Sequence, residues 1–236
     1  MKKIILLIFI LCFFKVNSQN KNILLNYSFT IKDFSKNIDK SDPLRYYFKD
    51  KIKTYNQISN SLFIRVQSNK LDSNVFFNDL LLPENIPSSE LIALKSLVLP
   101  FSPILHKDDG VYAGNSLIKN FIKFDVDNIL DWKITDDTKK IKGYLCIKAK
   151  PININPMFKK NFSLIPTFIW FCPDLNFKAS PSLFSNLPGA ILEINYKNFD
   201  IYIDKINTGD EVFIDNDLSN KKIISYSQFK SLIAKK

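Results

Sequence analysis

Apolar and polar residues alternate from Asn22 to Lys32, with Leu24 the one apolar residue on the polar face. Ile23, Leu25, Tyr27, Phe29 and Ile31 fall on one face; Asn22, Asn26, Ser28, Thr30 and Lys32 fall mostly on the other. A period of two predicts a half-buried strand. Polar, turn-like residues follow to Pro43. Leu44 to Tyr55 and Ser61 to Gln67, rich in aromatic and β-branched residues, then read as further strands. Ser88-Ser89-Glu90 opens a helix through Leu91, Leu94, Lys95 and Val98, which Pro100 and Pro103 stop. Asp108-Asp109-Gly110 marks a turn, and two or three short strands are expected between Val111 and Ile134.

The second half has a clearer rhythm. Gly143 to Lys150 alternates as a strand. Pro151 to Pro166 is a long loop, and Thr167 to Phe171 is a central strand. Pro173 to Ser185 is irregular, and Ala190 to Tyr196 and Phe199 to Ile206 pair through a tight connection at Lys197-Asn198. Glu211 to Ile214 and Lys222 to Ile224 read as short strands. Ser225 and Gln228 have capping-box spacing, with Phe229, Leu232 and Ile233 on one face of a closing helix. Many strands, few helices and no strand–helix–strand alternation predict a mainly β fold. The expected form is an antiparallel curved sheet, an open barrel or a sandwich, with one or two short helices including a C-terminal one.

The opening has the three zones of a secretory signal: Lys2 and Lys3, the apolar run Ile4 to Phe14, and Val16-Asn17-Ser18 before a cut. The run is shorter than the roughly 20 residues a membrane-spanning helix needs. Leu11 before Cys12 does not suit lipid attachment. Residues 1–18 are therefore expected to be a cleaved signal peptide and 19–236 a single β-rich domain, secreted or held in the periplasm or outer envelope, with no transmembrane segment in the mature chain. The formal charge of +10 falls on cleavage, because Lys2, Lys3 and Lys15 leave; 30 basic residues then face 23 acidic ones, a net of +7. The remaining lysines are dispersed, as in Lys139-Lys140, Lys159-Lys160 and Lys221-Lys222, so no focused basic stripe calls for nucleic acid. Cys146 and Cys172 are the cysteines left after cleavage. They sit in strand-like segments and are either a disulfide or two small core residues.

Three stretches from Trp132 onward carry a family resemblance. The first is Trp132-Lys133-Ile134 followed by Gly143-Tyr144-Leu145-Cys146-Ile147-Lys148-Ala149. The second is Trp170-Phe171-Cys172-Pro173-Asp174. The third is Asn186-Leu187-Pro188-Gly189-Ala190-Ile191 with Glu193 beyond it, preceded by Ser180-Pro181 and Phe184. In this order and spacing they resemble the GLPGLI family of exported Bacteroidota proteins. The resemblance implies an envelope protein of β-rich fold whose molecular role is obscure. Asn186 stands where that family has glycine, Ala190 where it has leucine, Ser180 where it has another glycine and Asn176 where it has proline, which marks a divergent member.

Backbone physics accounts for the third motif without chemistry. Leu187-Pro188-Gly189-Ala190 has the pattern of a type II turn, Pro fixing φ and Gly supplying a positive φ. Asn186 is suited to a left-handed position should one be needed.

No catalytic, cofactor-binding or metal-ligating set emerges. His106 is the only histidine, beside the polar Lys107-Asp108-Asp109, and reads as an exposed loop residue. Glu193 stands in an otherwise apolar strand and reads as solvent-facing, with a lysine pair as the other option. Asp125 and Asp127 would share a strand face. Phosphate-loop, calcium-loop and zinc spacings are missing, so no cofactor is implied. The leading expectation is a non-enzymatic binding or accessory protein. Its concave sheet face or Pro-rich loop would contact an envelope protein or a hydrophobic ligand, with Trp170, Phe171 and Phe168 as contact candidates wherever they are exposed; core packing is the favoured reading of each. The rival is a hydrolase of envelope glycans or peptides, which needs carboxylates from separate strands in one cleft with displaced ionisation.

Overall fold

The computed structural model describes residues 22–234 apart from 38, 40, 43, 70, 79–85, 116–117, 159–164 and 210–216. The signal-peptide reading of 1–18 and the strand read at Glu211 to Ile214 lie outside the described residues.

Two antiparallel meanders share one sheet. The first is β1 (Asn22–Ile31), β2 (Ile64–Ser68), β3 (Ser73–Phe77), β4 (Ile104–Lys107), β5 (Gly110–Asn115) and β6 (Ile118–Phe124). The second is β7 (Asp131–Ile141), β8 (Tyr144–Ile152), β9 (Phe168–Cys172), β10 (Ala190–Asn195) and β11 (Phe199–Gly209). They join where β11 pairs with β1. A short β12 (Ile223–Ser225) adds in parallel beside β6, and the order across the sheet is β12-β6-β5-β4-β3-β2-β1-β11-β10-β9-β8-β7. The antiparallel fold expected from the strand pattern is thus present as one open sheet.

The sheet cannot be flat. Ten strand steps separate β6 from β7 in the order, about 48 Å at the usual interstrand spacing. Yet β6 ends at Phe124 and β7 begins at Asp131, and a chain of that length spans at most about 25 Å. The two wings therefore curl toward one another. Asn155 N–H donates to the Ile129 carbonyl at 2.9 Å, and the Phe158 ring stacks on Tyr226 at 4.7 Å. These contacts tie the end of β8 to the opposite edge.

The inside of the curl is the core. Ile23, Leu25, Tyr27, Phe29 and Ile31 of β1 are all essentially buried, as the alternation predicts. Their register partners Ile201, Ile203 and Phe199 continue the layer. One apolar cluster runs from Ile224 and Phe229 at one edge to Ala149 at the other. Helices α1 (Leu44–Ser59), α2 (Ser88–Val98) and α3 (Tyr226–Ile233) contribute Ile52, Ile58, Leu94, Val98 and Phe229 to that cluster, and the irregular 173–189 segment adds Leu175, Leu183, Phe184 and Leu187. The strand expected from Leu44 to Tyr55 is instead α1. Its buried Ile52 and half-buried Phe48 and Tyr55 recur at helical intervals. The capping box at Ser225 and Gln228 is present in both directions. Among the described residues no helix is long and apolar enough to cross a membrane.

The inside of the curl is packed by the apolar cluster. The cavity between the α2 C-terminus, Ser182, Leu183 and Tyr196 is about 10 Å³, room for a single water.

Candidate functional site

Strand register places four side chains in one row on the outer face. Trp170 of β9 pairs with Lys148 of β8 on one side and Glu193 of β10 on the other, and Glu193 pairs with Tyr202 of β11. Lys139 reaches over this row from β7. Its Nζ lies 2.6 Å from Glu193 Oε2 and 4.6 Å from the centre of the Trp170 ring. Lys148 Nζ lies 3.1 Å from Asp137 Oδ2, 4.9 Å from the Phe168 ring and 5.5 Å from Trp170. A cation over an indole face is favoured by the ring quadrupole, more so when partly desolvated. The lysine stems also cover the ring, leaving Trp170 9% exposed, whereas Tyr202 is 39% exposed. Tyr202 Oη is 3.2 Å from Thr30 Oγ1. The patch thus combines aromatic surface with both signs of charge and hydroxyl groups.

This corrects the reading of Glu193 as a free solvent-facing residue. It is half-buried and ion-paired, and its partner comes from 54 residues away. Phe171 is core; Trp170 is also buried and belongs to the same apolar cluster, and Phe168 is half-buried against it, although both stand on the face that carries Lys148 and Glu193.

The rest of the motif residues serve the interior or its corners. Trp132 packs edge-on against Phe184 at 5.8 Å, and its indole N–H donates to Asn186 Oδ1 at 3.0 Å. Asn186 in turn donates to Asp127 Oδ1 at 3.0 Å. Asn186 is not left-handed; its amide is used as a bracket between strand and connection. Lys142 and Gly143, both with positive φ, make the two-residue turn before Tyr144, as a type I′ hairpin requires. Ala149, Pro181, Leu187 and Ile191 are buried, while Pro173, Asp174 and Pro188 are exposed at turns.

The turn at Pro188 is not type II. Gly189 N–H donates to the Leu187 carbonyl at 2.8 Å, closing a three-residue turn, and Ala190 N–H goes to the Leu175 carbonyl. Gly189 does carry the expected positive φ, +138°.

Cys146 and Cys172 are both fully buried and, in this structure, carry free thiols. Burial pushes the Cys146 thiol up to about 12 and raises that of Cys172.

His106 is not a loop residue. It sits in β4, fully buried, with Nδ1 2.6 Å from Ser73 Oγ and Nε2 2.8 Å from the Ser182 carbonyl. A carbonyl only accepts, so Nε2 carries the proton and Nδ1 accepts from Ser73. Burial lowers its pKa to about 4, against a smaller opposing effect of the Ser182 bond. Its role is to tie the 173–189 segment to the sheet.

A second feature bears on hydrolysis. Asp108, Asp109, Asp125 and Asp127 line one cleft of about 660 Å³ with Lys123, Ile223 and Ser225. The displaced ionisation there is that of Asp109, lowered by the Tyr112 hydroxyl and by Lys123. A general acid needs the opposite displacement. Among the described residues no group of three or more His, Cys, Asp or Glu is placed to hold a metal ion.

Residues 122–230, a little under half of the chain, match the family model "N-glycanase peptide, N-terminal domain". The matched stretch contains β7 to β12, the Trp170 patch and part of the aspartate cleft. The fold is similar to the structures of PNGF-II in the C2 and P21 space groups, each with a TM-score of 0.51, at 16% and 15% identity. Each comparison covers 91% of this chain and 33% of PNGF-II, so the chain spans about a third of the length of the solved structures it matches. No curated protein matches it in sequence.

Proposed function

We propose that this chain is an exported, non-catalytic recognition module that binds carbohydrate-bearing peptide on the outer face around Trp170. The carrying observation is the row Lys148–Trp170–Glu193–Tyr202 under Lys139. It sets aromatic surface beside charged and hydroxyl groups, the combination that a sugar's apolar C–H face and its hydroxyls require. The match to the N-terminal domain of an N-glycanase supports sugar chains as the ligand class. The filled interior favours an outer-face site over an enclosed one.

Export is inferred from the three zones of residues 1–18, and the GLPGLI-like motifs support a place at the envelope. The aspartate cleft supports the rival, a hydrolase. One experiment separates the two. The mature chain, residues 19–236, is titrated calorimetrically with an N-linked glycopeptide and with the same peptide lacking its glycan, and the mixture is then examined by mass spectrometry. Saturable binding of the glycopeptide alone, without release of glycan or cleavage of peptide, is expected. Turnover of the glycopeptide would favour the hydrolase, and equal binding of both peptides would remove the sugar from the account.

A further inference from the structure

We propose that Cys146 and Cys172 are an oxidation site. A disulfide-bearing oxidant closes them into a cross-strand bridge while the chain folds, and the bridge pins β8 to β9 beside the Trp170–Lys139 patch.

The register carries this. Ile147 pairs with Phe171 and Lys148 with Trp170, so one further step along the antiparallel ladder sets Cys146 opposite Cys172. Directly opposed residues in such ladders have Cα atoms about 4.5–5.5 Å apart, inside the roughly 4.4–6.8 Å window of disulfides. The Cys146 thiol donates to the Tyr144 carbonyl at 3.6 Å, and Cys172 and Lys139 are both near enough to act on it electrostatically. Cys12 would leave with residues 1–18, so the mature chain holds this pair alone. No third thiol then competes for the bridge.

Burial dictates the order of events. Thiol–disulfide exchange needs a thiolate and access for the oxidant. In the folded chain both sulfurs are fully buried, and burial holds both thiols protonated. Oxidation therefore precedes the closing of the sheet. In the open chain one cysteine loses its proton and its thiolate attacks a sulfur of the oxidant's disulfide, releasing one thiolate and leaving a mixed disulfide. The second cysteine, deprotonated in turn, attacks the cysteine sulfur of that mixed disulfide and releases the other thiolate. The two cysteines lose two protons and two electrons, and the oxidant is reduced to two thiols. Once the sheet closes, the bridge is shielded from reductant as the thiols were from oxidant. The oxidising compartment and the removal of Cys12 rest on the proposed export; the geometry does not.

The test uses the chain from residue 19 to 236, unfolded with reductant and refolded either in a glutathione redox mixture or in reductant alone. Refolding with oxidised glutathione should give a product with no free thiol after denaturation, a mass lower by two hydrogen atoms and a linked 146–172 peptide. Its thermal midpoint should lie roughly 10 °C above that of the reduced form. The reduced protein, folded before exposure to the same oxidant, should be modified at least about 100-fold more slowly than the unfolded chain. Retention of both thiols, stable glutathione adducts, or a bridged form with an unchanged or lower midpoint would each overturn the proposal. The Cys146→Ala/Cys172→Ala chain should show a midpoint indifferent to redox conditions. Should it fail to fold, the oxidised and reduced native chains still decide the matter. Glycopeptide binding is measured separately, so loss of one reading leaves the other standing.

Discussion

Gly189 stands against the carbonyl of Cys172: a Cβ built at position 189 would lie 2.0 Å from that oxygen. Register explains why the approach is so close. Ala190 pairs with Cys172, and the chain entering β10 must pass the end of β9 before the ladder begins. The glycine therefore meets two requirements at once, a positive φ and the absence of a side chain.

Gly189→Ala is expected to cost at least about 3 kcal/mol, because backbone must move on one side or the other. Gly143 supplies the control. It also has a positive φ, but nothing lies within 4 Å of its Cβ position, so Gly143→Ala should cost only about 1–2 kcal/mol. Denaturant midpoints of the two variants should separate clearly, and similar losses would mean that the Cys172 contact relaxes freely.

His106 makes stability depend on pH in a defined direction. Its folded pKa, about 4, lies below the ordinary 6.5. The unfolded chain therefore binds the proton first, and protonation favours unfolding. The contribution of the neutral, hydrogen-bonded ring is fully present above about pH 6.5 and fades as pH falls toward 4. It amounts to about 3 kcal/mol between pH 7 and pH 4. Urea melts of wild type and His106→Asn across that range should differ in slope, the variant lacking this component. Parallel slopes would show that the imidazole does not titrate with unfolding.

These residues show what local sequence can and cannot reveal. The β1 alternation, the β10–β11 hairpin, the Ser225 capping box and the positive φ of Gly189 all arise within a few residues, and each is legible in the chain. α1 was obscured because Tyr46, Tyr47 and Phe48 favour strands by propensity, while its burial follows the helical period through Ile52 and Tyr55. His106 looked exposed because a polar turn follows it. The groups that satisfy its buried ring nitrogens belong to Ser73 and Ser182, 33 and 76 residues away. The Glu193–Lys139 pair is equally non-local. The patch could be suspected at Trp170, but its charges could be assigned only once β7 was known to lie two strands away across β8.

Lys139 and Glu193 should matter more for binding than for stability. The pair is 36% and 26% exposed, and such pairs contribute under about 1 kcal/mol. Glu193→Gln is expected to leave the denaturant midpoint nearly unchanged while weakening glycopeptide binding about tenfold, equivalent to roughly 1.4 kcal/mol. Calorimetry on the folded variant reads this directly. Unchanged affinity would take Glu193 out of the site.

The most direct measurement for the account as a whole is a chemical-shift map of the mature chain titrated with an N-linked glycopeptide. The indole N–H of Trp170 and the backbone amides of Lys139, Lys148, Glu193 and Tyr202 should shift together with one saturation curve, while the Trp132 indole on the inner face stays still. Shifts centred on Asp108, Asp109, Asp125 and Asp127, or none at saturating glycopeptide, would contradict an outer-face recognition module.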